Sequence, residues 1–365
     1  MLNGVCMSNW STYELITTYG ESITRWHAQG YGKGKCAKMV TTESGRTCTV
    51  GVMAHAFKKL LLNRTIKGKL DVRDTSDPYE EQPIEELIQS RIKAANRKLA
   101  SAGKHKRTIE LPAEPVGIYL AGDPHVDNEG CDWAKLHEHV QLVQSTPGVL
   151  AACVGDMQDH WIGRLARCYA DSSAKASDGW RLSEWYLSSM QWIALVGGNH
   201  DSWASTHGLD PYDWLTKKCG VMCYAADEIR LTLRWKNEPE LEPIIWILRH
   251  DFSGRSWFHP THGPHKEATL DGKAHLLTCG HIHQWGELTT EQRHGRCTTA
   301  LRVRGYKKND NYARQKGFSE QEYGEAAMII IDPWAEGPQR MTTFWDVKKG
   351  CEYLNYLRKE IDGEE

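Results

Sequence analysis

The sequence predicts an α/β layered domain preceded by a small, mainly helical region. Three observations carry this reading. From Pro115 onward, short apolar stretches alternate with loops and helical segments, as in strands and helices stacked in layers. Five polar runs each follow one of those apolar stretches: Asp123-Pro124-His125, Gly155-Asp156-Met157-Gln158-Asp159, Gly198-Asn199-His200-Asp201, His250-Asp251 and Gly280-His281-Ile282-His283. The first hundred residues lack this texture and read as helices instead. The division expected is 1–110 for the helical region and 111–365 for the layered domain.

In the helical region, Ser11-x-x-Glu14 is a capping-box pattern, so a helix starts there and is interrupted or ends near Gly20. Gly30, Gly32 and Gly34 read as a flexible turn. They follow no strand and lack a Lys-Ser/Thr ending, which argues against a phosphate-cradling loop of the Walker type. Thr49 is placed to cap a helix carrying Val50, Met53, Phe57, Leu60 and Leu61. The stretch from Asp71 to Glu86 is acidic, contains Pro78 and Pro83, and reads as a linker. A helix from Ile84 to about Ala100 follows. From Arg91 to Arg107 the chain holds seven Lys or Arg and no acid: a solvated helix face, or a contact for a phosphate backbone. A helix-turn-helix reading of this region has little to support it.

In the layered domain, the strands expected are Val116–Ala121, Val149–Val154, Trp192–Val196, Ile229–Trp235, Ile244–Leu248, His275–Cys279, Met328–Asp332 and Thr342–Trp345. Helices are expected at Trp133–Val143, Ser183–Met190 and Gly350–Arg358, before a frayed acidic tail. Ligands of such sheets gather beyond the carboxyl ends of strands, where the five polar runs lie.

Lys plus Arg (45) nearly balances Asp plus Glu (47), so any contact with nucleic acid must come from local patches. No apolar run approaches the roughly 20 residues of a membrane span, and the N-terminus has no signal-peptide pattern. The eleven cysteines show no CxxC pair and no disulfide-framework spacing; they read as reduced thiols, with Cys153 and Cys279 inside core strands.

Carboxylate, amide oxygen and imidazole are what a hard or borderline divalent ion prefers. Asp123 and His125 are two apart at a strand end, so an extended backbone lets both reach one ion. The order D-x-H, GDxxD, GNHD, H and GHxH resembles the calcineurin-like metallophosphoesterases, over roughly residues 115–333. That resemblance implies a β-sandwich flanked by helices and a pair of divalent ions, Mn²⁺ first, with Zn²⁺, Fe or Ni²⁺ as alternatives. It implies that Asp123, His125, Asp156 and His283 hold one ion, and that Asp156, Asn199, His250 and His281 hold the other. Arg249 precedes His250 where the family often has Gly, and His259, His262 and His265 stand as alternatives to His250. By the same resemblance His200 is a general acid paired with Asp159, and Asp201 shapes the turn behind the ligands. His160 occupies a position where related phosphatases often carry Arg or Asn, of which an Arg would clamp substrate phosphate.

The activity implied is phosphoester hydrolysis by a water shared between two ions about 3.5–4 Å apart. The substrate expected is nucleic acid or a nucleotide; a phosphomonoesterase is the alternative, and a non-catalytic scaffold a second. A tryptophan follows each run: Trp133, Trp161, Trp203, Trp257 and Trp285. These are expected on loops around the mouth, stacking bases or packing as core. Arg302 and Arg304 open a second basic stretch, with Lys307, Lys308, Arg314 and Lys316, that either contacts phosphates or is solvated. The segments RHDFSGRSWFHPTHGPHK and RVRGYKKNDNYARQKGF resemble metallophosphoesterases of bacteriophages and prophages, which implies a bacterial or host cytoplasm.

Overall fold

The computed structural model describes residues 9–62, 83–102, 106–172, 175–205, 209–292, 295–308, 314 and 324–363. The chain forms two compact units, Met1–Leu87 and Ile88–Glu365. The linker expected at 71–86 lies largely outside the described residues, as does most of the second basic stretch beyond Lys308.

The first unit packs helices α1 (Thr12–Ala28), α2 (Lys33–Ser44) and α3 (Val50–Leu62) around Leu15, Ile23, Trp26, Val40, Met53 and Phe57. The capping box at Ser11 and Glu14 forms, and Thr49 Oγ1 accepts from the Val52 N–H. Helix α1 does not stop at Gly20. A glycine in a helix interior costs only about 1 kcal/mol, and burial of Leu15, Ile23 and Trp26 on one face outweighs that. The glycine-rich turn is shorter than expected, because α2 begins at Lys33 directly after Gly32 and ends at left-handed Gly45. Helix α4 (Ile84–Ala102) follows, with Arg91, Lys93 and Arg97 exposed.

The second unit is a two-sheet sandwich. Its elements in chain order are β1 (Lys106–Leu111), β2 (Val116–Ala121), α5 (Trp133–Ser145), β3 (Val149–Cys153), α6 (Ala176–Ser188), β4 (Trp192–Val196), α7 (Asn199–Trp203), α8 (Pro211–Lys218), β5 (Tyr224–Ala225) and β6 (Glu228–Trp235). Then come β7 (Ile244–Arg249), α9 (His262–Asp271), β8 (Leu276–Cys279), β9 (Gly286–Glu291), β10 (Cys297–Arg302), β11 (Ala327–Ile331), β12 (Met341–Phe344) and α10 (Val347–Asp362). One sheet has the order β1-β6-β7-β8-β10-β9, the other β12-β11-β2-β3-β4-β5. Strands β2 to β5 run parallel, as do β7, β8 and β10.

Inward residues of both sheets, among them Ile118, Leu120, Ile193, Leu231, Trp246, Leu276 and Ile329, form one core. On the outer face of the second sheet, Tyr119, Trp192 and Met328 pack against Leu136 and Val140 of α5, Tyr186 of α6 and Leu354 of α10. Helix α9 covers Ile247 and Leu277 of the other sheet through Ala268. Burial on both faces is why β2, β4, β8 and β11 read as continuous apolar runs. The ten described cysteines are free, with Cys153 and Cys279 fully buried in β3 and β8. Among the described residues, no helix is long and apolar enough to cross a membrane.

Candidate metal centre

The five polar runs leave the carboxyl ends of β2, β3, β4, β7 and β8, and short backbone bonds lace those ends together. The Asp123 N–H donates to the Gly155 carbonyl at 2.9 Å, and the Gly280 N–H to the His250 carbonyl at 3.0 Å. Asp201 draws two more together: its carboxylate accepts from the N–H groups of Asp156, Met157 and Gly198 at 2.8–2.9 Å.

Asp123, His125, Asp156, His281 and His283 all hold positive φ, between 43° and 74°. This is uncommon for residues other than glycine and marks backbone held in place by its surroundings. The extended arrangement expected for Asp123 and His125 is therefore replaced by a left-handed one. Close approach also explains two of the motif glycines. A Cβ at Gly198 would fall on Asp156 Oδ1, and one at Gly280 on Asp123 Oδ2.

Two clusters result. Asp123, His125 and His283 bring one donor atom each within 4.8 Å of one another, and so do Asp156, His250 and His281. Asn199 Oδ1 lies 2.9 Å from His250 Nε2, which places the amide in the second cluster. Asp156 Oδ2 lies 3.2 Å from His250 Nε2 and 4.0 Å from His125 Nε2, so this carboxylate stands between the clusters. His250 Nδ1 is 2.7 Å from the Val154 carbonyl, which only accepts; the ring therefore carries a hydrogen there and turns Nε2 inward, the atom that would offer a lone pair to a cation displacing its proton. His259 and His262 are exposed, and neither they nor His265 joins either cluster.

The donor set fits divalent cations. Asp123 and Asp156 are buried side by side, and burial first, then the Asp156 charge, pushes the Asp123 carboxyl up to about 7. Burial works against a charged His250, yet the adjacent Asp156 and Asp123 hold the ring up to about 10. Buried His125 Nε2 has no hydrogen-bond partner among the described residues. Carboxylates, an amide oxygen and imidazole lone pairs converging in this way are hard and borderline donors, and cations would relieve the crowding of like charge.

A third cluster joins His125, Asp159 and His200. The expected pairing of His200 with the Asp159 carboxylate is not what forms. His200 Nδ1 meets the Asp159 backbone carbonyl, while the Asp159 carboxylate takes His125 Nδ1 at 2.8 Å, Lys307 Nζ at 2.9 Å and the Asn128 amide. The Asp156 carboxylate, 3.9 Å from His200 Nε2, favours the charged ring but does not prevail: burial, and then the His125 charge, lowers the His200 value to about 4. Lys307 and Asn128 were not identifiable as part of the site. Lys307 sat in a run of Lys and Arg far along the chain from Asp159, and no spacing links the two.

The tryptophans divide. Trp161 is buried with its ring centroid 5.0 Å from that of His200, and Trp203 lies 4.3 Å away on the same imidazole. Trp133 packs on Trp185, Trp285 lies against Trp345, and Trp257 is wholly exposed. His160 turns to the Tyr212 hydroxyl at 2.8 Å. Arg302 is a correction. It is 2% exposed and bonded to Asp251 and to the carbonyls of Pro260 and Gly280, so a solvent-borne phosphate cannot reach it. Arg304 is half-buried, 4.0 Å from Glu325.

No protein-family model and no curated protein matches the chain. Among solved structures it is similar to vacuolar protein sorting 29 from Cryptosporidium parvum, at 10% identity over 63% of this chain and 96% of that one, with a TM-score of 0.32. It is also similar to a predicted phosphoesterase from Streptococcus pneumoniae (13% identity, 63% and 97% covered, TM-score 0.28). A third is the nuclease MPE from Pseudomonas putida (12% identity, 62% and 87% covered, TM-score 0.28). Likeness this loose carries nothing on substrate or chemistry. The two six-stranded sheets and the convergence of the motif side chains are the layered domain and the grouping of ligand-type residues that the sequence motifs led us to expect.

Proposed function

We propose that the chain is a phosphodiesterase acting on nucleic acid or nucleotides with two divalent ions, Mn²⁺ foremost. The observation that carries this is the pair of clusters, Asp123/His125/His283 and Asp156/His250/His281 with Asn199, on either side of one shared carboxylate. Divalent ions bound there would lower the pKa of a water and offset charge on the phosphoryl oxygens. The chain's own residues do the rest.

Asp156 is locked by Asp201 behind it and by the His200 N–H, which donates to its Oδ1 at 2.9 Å. His200 Nδ1 faces a carbonyl and so carries a hydrogen, which leaves Nε2 as the atom that exchanges a proton. Trp161 and Trp203 wall the ring from bulk water. An anionic phosphate arriving beside the imidazole favours its charged form, against the burial that depresses it. As water attacks phosphorus and the ester P–O bond breaks, Nε2 delivers its proton to the departing oxygen.

The test is a panel: chelator-treated protein reconstituted with Mn²⁺, given bis-p-nitrophenyl phosphate, single-stranded DNA, RNA, cyclic nucleotides and p-nitrophenyl phosphate. Diester cleavage is expected. Turnover of the monoester alone would replace this reading with that of a phosphomonoesterase.

A further inference from the structure

Residues 251–261 form the loop that leaves β7 after His250 and enters α9. Buried Arg302, at the end of β10, fixes this loop at both ends. Its Nη2 donates to Asp251 Oδ1 and its Nε to the Pro260 carbonyl, both at 2.8 Å, while Nη1 donates to the carbonyl of Gly280, the residue before His281. One guanidinium thus ties the two loop ends to the segment that carries His281 and His283. Between the anchors the backbone turns at Gly254 (φ 120°), and the tip presents Trp257, 100% exposed, and Phe258, 86% exposed. Arg255 stands in the same tip.

Two adjacent exposed aromatic rings with Arg255, on a loop tied to the segment that carries His281 and His283, call for an occupant with flat apolar faces and negative charge. A duplex hides the faces of its bases in the stack; an unpaired strand offers them. We propose that Trp257 and Phe258 are a stacking platform for the bases of single-stranded nucleic acid, with Arg255 taking an adjacent phosphate. The proposal rests on the phosphodiesterase reading above and narrows its substrate.

The experiment compares two fluorescein-labelled strands of equal length, oligo(dT) and its abasic counterpart, by anisotropy on the full chain in chelator, where no turnover occurs. Both carry the same phosphates and only one carries bases. Wild type is expected to prefer oligo(dT) by about tenfold or more, and Trp257→Ala/Phe258→Ala to lose that preference. Both side chains are solvent-exposed, so the variant keeps its core; its circular dichroism and sedimentation are recorded alongside. Equal binding of the two strands by wild type, or an undiminished preference in the variant, overturns the proposal. So does a variant that changes only the oligomeric state, which would make the tip a contact between protein chains. Hydrolysis of bis-p-nitrophenyl phosphate by wild type with Mn²⁺ is scored separately, so that loss of the catalytic reading is told apart from loss of this one.

Discussion

Asp159 gives His200 its backbone carbonyl and keeps its carboxylate for His125 and Lys307. One residue therefore fixes two imidazoles by two different groups, and substitution of its side chain separates them. Asp159→Asn is expected to leave the His200 contact in place and to loosen His125. Partners of ligating imidazoles typically contribute 10–100-fold to metal affinity, and a loss of that order is expected in Mn²⁺ titration. His200→Ala is expected to do the reverse, binding Mn²⁺ as wild type while kcat falls about 10²–10⁴-fold. Loss of metal from His200→Ala would show that the ring is a ligand.

Lys307 is the cation that faces this buried carboxylate, with both side chains at most 10% exposed. Removing one partner of a buried pair leaves the other charge uncompensated, at a cost of about 3–5 kcal/mol. Lys307→Met is expected to lose that much in urea denaturation. Lys307→Met/Asp159→Asn is expected to lose less than the sum of the single changes. Additive losses would mean that the two do not interact.

Gly280→Ala places a methyl group on Asp123 Oδ2. Asp123 must move, and with it the carboxylate that accepts the His281 N–H at 2.9 Å. Metal affinity is expected to fall at least tenfold, by calorimetric titration, while the far-ultraviolet circular dichroism is retained. Unchanged affinity would show that Asp123 is not a ligand.

The metal-free protein should respond to pH in a defined sense. Asp123, raised to about 7, binds a proton in the folded state that the unfolded chain releases near its ordinary value of 3.8. Its contribution is complete below 3.8 and is lost as pH rises through 7. His250, raised from 6.5 to about 10, acts in the same direction over the interval from 6.5 to 10. Below 6.5 the buried rings of His139, His160 and His200, each lowered to about 4, act in the opposite sense, so by thermal melting in chelator the decline is expected from pH 7 to pH 9. Mn²⁺ takes the place of these protons and should flatten that decline. A metal-free protein that gains stability over this interval would contradict the account.

Much of this was readable before the fold was seen. Chemistry concentrated in short runs behind apolar strands is local information, and Asp123, Asp156, Asn199 and His281 each sit in such a run. The strands themselves were legible because burial on both faces leaves unbroken apolar stretches. What escaped was of two kinds. Helix continuation through Gly20 and the start of α2 at Lys33 were decided by tertiary burial of Leu15, Ile23, Cys36 and Val40, which overrides glycine's local preference. The partners of Asp159 and the anchoring role of Arg302 depend on residues far apart in the chain meeting in space. A lysine in a basic run and an arginine at a strand end carry no local mark of the carboxylate or carbonyls they will meet.

The central claim is tested most directly by anomalous diffraction from crystals of the protein equilibrated with Mn²⁺. Two peaks are expected: one in contact with Asp123, His125 and His283, the other with Asn199, His250 and His281, and Asp156 touching both. A single peak, or peaks that do not contact Asp156, would contradict it.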